Sequence, residues 1–402
     1  MKYISFIFSI VFVSLGVACT HMKKEKTMED IIDTAFRTAI QQYSLMAESL
    51  MESDSLLPRT YQDGKLVTSN SHWWCSGFFP GSLWYLYEYS KDDKILSYAR
   101  QYTSRIEREK YTTDNHDIGF MLYCSFGNGL RLTGEESYKE VLYTGSKSLA
   151  TRYNPRVGLI RSWDFNENVW QYLVIIDNLM NLEMLLWAAK TFKDSTFKEI
   201  CISHADKTMK HHYRNNYSCY HVVSYDTLTN KPHLKDTHQG YAKESTWSRG
   251  QAWGLYAYTF LYRETNDRKY LEQAKSIAQF LLHHPHMPKD YIPYWDFDAP
   301  DIPNALRDAS AAAIMASGLI ELSNYVDHEL STEYIKVAET QLRTLSSPEY
   351  TAKIGENGNF ILKHSVGHFR ENSEVDAPLT YADYYYLEAL MRYKKMILES
   401  YK

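Results

Sequence analysis

The stretch "LRDASAAAIMASGLIELSNYVDHELSTEYIKVA", residues 306–338, holds two kinds of helix joined by a short polar break. The first half is built from Ala, Ser, Gly and aliphatic residues and has almost no charge. That composition suits a helix buried on every side. The second half opens on polar residues with an aromatic, Tyr334, just inside, and spreads charges around an apolar stripe. That is the amphipathic pattern of a helix with one wet face. The second kind of opening recurs in "TGEESYKEV" (133–141), "KDSTFKEI" (193–200) and "NDRKYLEQA" (266–274). Recurrence at this level is a degenerate internal repeat, one helical hairpin per unit.

Working outward, openings rich in Gly, Ala or aromatics appear in "HWWCSGFFPG" (72–81), "NHDIGF" (115–120), "VIIDNLMNLEMLLWA" (174–188), "ESTWSRGQAWG" (244–254) and "YADYYYLEAL" (381–390). Periodicity predicts about twelve helices, near residues 28–51, 78–90, 92–109, 117–133, 135–152, 170–190, 194–212, 247–264, 268–283, 307–325, 331–347 and 379–397. Continuous β-alternation is scarce. Six hairpins with apolar even-numbered helices predict an all-α chain, an (α/α)6 toroid (six-hairpin barrel) forming a single domain over residues 30–402. Short connections follow most even helices and longer ones precede them, which places one funnel-shaped site at the even helices' starts.

With 402 residues, 44% hydrophobic and 23% charged, the composition is ordinary for a globular protein. A net charge of −5 excludes a basic nucleic-acid face, so an acidic ligand would need a local pocket. The 34 Tyr and 9 Trp are in excess, and flat aromatic faces lean towards carbohydrate. At the amino terminus, Lys2 precedes an apolar run from Ile4 to Ala18 that is short for a membrane span. It ends in Gly16-Val17-Ala18-Cys19, which resembles a bacterial lipobox. Residues 1–18 are therefore expected to be a lipoprotein signal peptide, with Cys19 lipidated and residues 19–29 a tether. The expected location is the bacterial cell envelope, periplasm-facing, with membrane contact only through the lipid.

Two carboxylates sit in apolar surroundings on even helices. Asp117 is read either as a helix cap or as chemistry aimed into a cavity. Asp177 follows Val174, Ile175 and Ile176, so it is either half of a buried pair or a desolvated general acid with a raised pKa. "DTHQGYAKESTWSRGQAWG" (236–254) packs His238, Gln239, Trp247, Arg249, Gln251 and Trp253 together. Arg249 and Trp253 are one helical turn apart, so a guanidinium could hold a carboxylate while the indole stacks on a sugar. The alternative is that Arg249 pairs with Glu244 or Glu183. Trp73, Trp74 and Trp163 are further stacking candidates. His283, His284 and His286 end an outer helix, where cations suit the dipole, and no metal is expected there or elsewhere.

The even-helix openings together, with "THQGYAKESTWSRGQAWGLY" (237–256) and "YWDFDAP" (294–300) added, resemble the unsaturated glucuronyl hydrolases of glycoside hydrolase family 88, block by block in the family's order from about residue 30 to 395. The resemblance implies the (α/α)6 barrel, no cofactor, and a substrate oligosaccharide that a polysaccharide lyase has left with a 4,5-unsaturated uronic acid at its non-reducing end. It implies that Asp177 protonates carbon 4 of the vinyl ether and activates the water that adds at carbon 5. Asp117 is implied to be the second essential carboxylate. His221, Gln239, Arg249 and Trp253 are implied to contact the unsaturated sugar, with Trp74 and Trp163 stacking around it. Without the resemblance, two carboxylates among aromatics suggest an ordinary inverting glycosidase.

The segment "HSVGHFRENSEVD" (364–376) departs from the family pattern. It carries Ser365, His368 and Arg370 where relatives acting on sulfated disaccharides resemble Ser-x-x-Ser-x-Lys. It is read either as reading an anion on the second sugar or as a charged surface loop. Two other functions compete: an unsaturated rhamnogalacturonyl hydrolase of the sister family, and a non-catalytic glycan-binding lipoprotein, which would not need both Asp117 and Asp177. Oligomeric state is not legible.

Overall fold

The computed structural model describes residues 26–399, so the expectations for the leader and for Cys19 lie outside the described residues. In chain order the helices are α1 (Met28–Ser49), α2 (Phe78–Ser90), α3 (Asp93–Ser104), α4 (Ile118–Leu122, carried by a π turn at Tyr123–Gly127 into Asn128–Thr133) and α5 (Glu136–Ala150). They continue as α6 (Asn178–Phe192), α7 (Ser195–His212), α8 (Ser248–Thr265), α9 (Arg268–Leu282), α10 (Ala309–Leu322), α11 (His328–Leu345) and α12 (Thr380–Tyr393). The even helices pack in sequence, α2 on α4, then α6, α8, α10 and α12, and α12 closes back on α2. The odd helices lie outside them. The chain is an (α/α)6 barrel.

Side-chain character decides which helix goes where. Every residue of α10 is buried, and all of α12 but Arg392. By contrast α9 buries one stripe, Tyr270, Leu271, Ala274, Ile277, Ala278 and Leu281, and leaves its charges in water. The hairpin connections at one end of the barrel repeat a two-residue device. Lys91, Gly134, Lys193 and Asn266 each take the left-handed conformation after an inner helix, and an acidic residue follows. In three of the four, Asp92, Asp194 and Asp267, that residue's carboxylate caps the next outer helix. Asp327 caps α11 in the same way.

The opposite end carries the long connections and four small antiparallel sheets: β1 (Leu57–Gln62) with β2 (Lys65–Ser69), β3 (Tyr153–Asn154) with β4 (Leu159–Ile160), β5 (Leu173–Ile175) with β6 (Val222–Tyr225) and β7 (Pro232–Asp236), and β8 (Ser365–His368) with β9 (Ser373–Ala377). One of them corrects a predicted helix. Residues 170–177 are not helical: Leu173–Ile175, with β-branched Val174 and Ile175, form the outer strand of a three-stranded sheet paired to β6, and α6 starts only after Asp177. Among the described residues no helix is long and apolar enough to cross a membrane. Cys75, Cys124, Cys201 and Cys219 are separate buried thiols.

Candidate active site

Asp117 and Asp177 stand at the N-cap positions of α4 and α6, yet neither side chain caps its helix. The contrast with Asp92, Asp194, Asp267 and Asp327 is chemical. A capping carboxylate spends its lone pairs on backbone N–H groups, whereas these two keep theirs for the cavity. The helices that carry them are locked together at Gly119. A Cβ there would lie 2.7 Å from Asn181 Cα, and Asn181 Oδ1 accepts the Phe120 N–H at 2.8 Å.

Asp177 is delivered by β5. Ser162 Oγ accepts the Ile175 N–H at 3.0 Å, and Asn178 Nδ2 donates to Ile160 O at 2.9 Å, which pins the strand-to-helix turn. The carboxylate is almost fully buried, and its Oδ2 has no hydrogen-bond partner. Burial pushes its pKa up to about 6, against the pull of His116 and Arg249, and the neighbouring charge of Asp117 pushes the same way as burial. A carboxyl held in this range can give a proton near neutrality and take one back.

Behind Asp177 lies His221, also buried. Its Nδ1 accepts the backbone N–H groups of His238 and Gln239, each at 3.1 Å, so the proton sits on Nε2. Nε2 is 3.8 Å from Asp177 Oδ2. Burial holds this imidazole well below its usual pKa, hence neutral. Asp117 Oδ1 is 3.1 Å from Nε2 of buried His116, and its own N–H is accepted by Asn115 Oδ1 at 2.9 Å.

Arg249 is fully buried at the cavity floor. Its guanidinium donates to Val366 O, to Gly367 O at 2.7 Å and to Asp308 Oδ2 at 3.2 Å. Its partner is thus Asp308, not Glu244 or Glu183, which bind Tyr220 and Arg263 respectively. Arg249 Nε has no hydrogen-bond partner among the described residues. Trp247 and Tyr381 flank the guanidinium, at 4.6 and 5.2 Å from their ring centres. Gln239 Nε2 donates to Gly367 O at 3.0 Å, so β8 is tied to the floor twice.

The cavity these groups enclose measures about 350 Å³ and brings together Asp117, Asp177, Trp74, Trp163, Gln239, Arg249 and His368. The remaining candidates lie elsewhere. His221 is behind Asp177, and Trp253 is sealed beneath the floor against Phe120 and Tyr385. Ser365 is buried within β8, and Arg370 is exposed, donating to Thr237 O at 3.0 Å. The cavity adds residues that motif reading had not singled out: Arg59, Phe165, Glu374 and Tyr381. Arg59 lies 3.8 Å over the Trp73 ring and pairs with Glu374. Tyr381 and Glu374 stand inside segments already marked as unusual, but Arg59 sits in an unremarkable hairpin. Unpartnered buried polar atoms gather here: Asp177 Oδ2, His116 Nδ1, Trp163 Nε1, Tyr381 OH and His368 Nε2. Buried polar atoms without partners are uncommon, and their clustering around one cavity marks a polar site.

Comparison with known proteins agrees with that geometry. Residues 46–396 match the sequence profile of Glycosyl Hydrolase Family 88. An unsaturated glucuronyl hydrolase of Formosa agariphila is 42% identical over 408 residues, covering 99% of each chain. An unsaturated chondroitin disaccharide hydrolase of Streptococcus pyogenes is 30% identical, covering 93% of this chain and 94% of its own. A crystal structure of an unsaturated glucuronyl hydrolase specific for heparin superposes with a TM-score of 0.88 at 49% identity, over 91% of this chain and 98% of that one.

Proposed function

The chain belongs to glycosyl hydrolase family 88, and from that premise we propose that it is an unsaturated glucuronyl hydrolase whose acid/base is Asp177. It is a glycoside hydrolase. The substrate class we infer is the unsaturated disaccharide of a glycosaminoglycan, the chemistry named for the chondroitin and heparin relatives. The observation that carries the reading is the unpaired, desolvated Oδ2 of Asp177 beside Asp117 in an aromatic cavity.

In the proposed reaction Asp177 enters protonated and donates its proton to carbon 4 of the vinyl ether. Positive charge develops at carbon 5 and the ring oxygen, where the carboxylates of Asp177 and Asp117 stabilise it. Water then adds at carbon 5 and its proton returns to Asp177, so the catalyst is restored. The resulting hemiketal opens, and the second sugar leaves with its hydroxyl. Neutral His221 backs Asp177 without competing for the proton, because both Nδ1 contacts fix its N–H towards the carboxylate. Arg249, already neutralised by Asp308, brings a compensated positive charge to the substrate carboxylate rather than a full unpaired one.

The test follows the ultraviolet absorbance of the conjugated double bond with unsaturated disaccharides from chondroitin, heparin and pectin. Loss of absorbance with the first two supports the reading. Turnover of the pectin-derived compound alone would replace it, and absence of turnover on all three would end it.

A further inference from the structure

Arg152 follows α5 on the outside of the barrel, yet its side chain is buried and fully committed. Nε donates to Arg161 O at 2.8 Å, and Nη1 donates to Thr113 O at 2.7 Å. Nη1 and Nη2 also grip the two carboxylate oxygens of Asp164 at 3.1 and 3.0 Å. Such a fork fixes orientation as well as distance. What it grips are two separate loops. Thr113 lies on the segment leading to His116 and Asp117, and Asp164 lies between Trp163 and Phe165.

In an extended segment alternate side chains face opposite sides. Accordingly Trp163 and Phe165 both line the cavity, stacked 4.7 Å apart with planes 3° from parallel, while Asp164 turns outward to Arg152. The two loops meet again inside, where His116 packs edge-on against Trp163 at 6.2 Å. His116 in turn contacts Asp117. Arg161 reinforces the outer side, with Nε 3.1 Å from Asp164 and Nη2 2.7 Å from Glu167.

We propose that Arg152, clamped on Asp164, is a positioning residue that holds the Trp163–Phe165 wall at a fixed distance from the loop carrying Asp117. The clamp lines no part of the cavity that holds Asp177, so it acts on where the sugar rests rather than on proton transfer. Asp177 hangs from a different element, β5, and is pinned by Ser162 and Asn178. This inference rests on the functional reading above.

The experiment measures KM and kcat of the full chain on one unsaturated glycosaminoglycan disaccharide, comparing the native chain with Asp164→Asn, Asp164→Glu and Arg152→Lys. Acrylamide quenching of indole fluorescence is read in parallel, with and without Trp163→Phe, to isolate Trp163. Asp164→Asn is expected to raise KM about tenfold, with kcat held within about twofold, the scale of one charge-assisted fork lost from a half-buried loop. Quenching of Trp163 rises with it, and Asp164→Glu recovers part of both. Arg152→Lys with Asp164→Asn is no worse than Arg152→Lys alone, because the Asp164 contact is already lost with the guanidinium fork. Unchanged KM and quenching in Asp164→Asn would overturn the clamp while leaving the functional reading intact. So would kcat falling in step with thermal stability, since that marks a general structural role. A native chain inert on every unsaturated disaccharide overturns the functional reading instead, and the quenching comparison still decides the clamp.

Discussion

His221 presents Nε2 to Asp177 Oδ2 at 3.8 Å while two backbone N–H groups, from His238 and Gln239, occupy its Nδ1. The imidazole is therefore fixed and neutral behind the proposed acid, at a distance longer than a hydrogen bond. Its orientation belongs to the fold, through β6 and the turn after β7, and not to the substrate.

Asp177→Asn keeps the shape of the side chain and removes its proton chemistry. Turnover of the unsaturated disaccharide should fall by about 10²–10⁴, the usual contribution of a general acid/base, with disaccharide binding retained by calorimetry. Substantial surviving turnover would remove Asp177 from the role.

The same carboxyl sets a pH dependence. A group that must enter protonated, with a pKa raised to about 6, loses activity as pH rises through that value. Stability follows the same sign. The folded state binds the proton more tightly than the unfolded chain, so the group costs nothing well below pH 3.8 and increasingly destabilises between there and about 6. Asp177→Asn should therefore raise stability at pH 7 by roughly 1–3 kcal/mol and leave it unchanged near pH 3. Chemical denaturation at the two pH values reads this difference.

Arg249→Ala would strand Asp308 as a buried charge and release β8 from the floor. A loss of about 3–5 kcal/mol is expected, the scale for breaking one side of a buried pair. Asp308→Asn added to it should recover part of the loss. A drop in Tm no larger than that of a surface change would contradict the arrangement.

Gly119→Ala places a methyl against Asn181 at the seam between α4 and α6. Overpacking of about 1–3 kcal/mol is expected, together with a fall in kcat, because the seam sets how Asp117 faces Asp177. If kcat held while Tm fell, the seam would be structural only.

We also propose lipid attachment at Cys19, from the Gly16-Val17-Ala18-Cys19 sequence. In a bacterial host with lipoprotein processing, Cys19→Ser should move the protein from the membrane fraction to the soluble one and abolish labelling by a fatty-acid analogue. An unchanged distribution would count against the anchor.

The barrel was legible because its signal is repetitive. Buried helices such as α10 lack a polar face, outer ones such as α9 keep one, and no tertiary information is needed to tell them apart. The start of α6 was misread because apolar periodicity cannot separate a buried strand from a buried helix over a few residues, and β5 becomes a strand only by pairing with the distant β6. Asp117 and Asp177 were visible as charges in apolar settings. That neither caps its helix was not, since capping depends on side-chain rotamer. The partner of Arg249 was missed because Asp308 is remote in sequence and reaches it only once the ring closes. Arg59 carried no local signal at all, and its place at the cavity comes from stacking on Trp73.

The π turn at Tyr123–Gly127 in the middle of α4 has a geometric consequence for Asp117. One additional residue in a helical turn rotates everything before it by about 100° relative to everything after it. The lower half of α4 is keyed by Asn128, whose Nδ2 donates to Tyr384 OH at 3.1 Å, and the upper half by the Phe120 N–H on Asn181 Oδ1, so the π turn sets the angle between two anchored faces. Removing a single residue from this turn would leave a regular helix whose two anchored faces are about 100° out of register, so that either the Asn128 or the Asn181 contact must break and Asp117 holds its direction only in the first case. The direction of the proposed supporting carboxylate is in this sense an integer, the number of residues in one turn of helix.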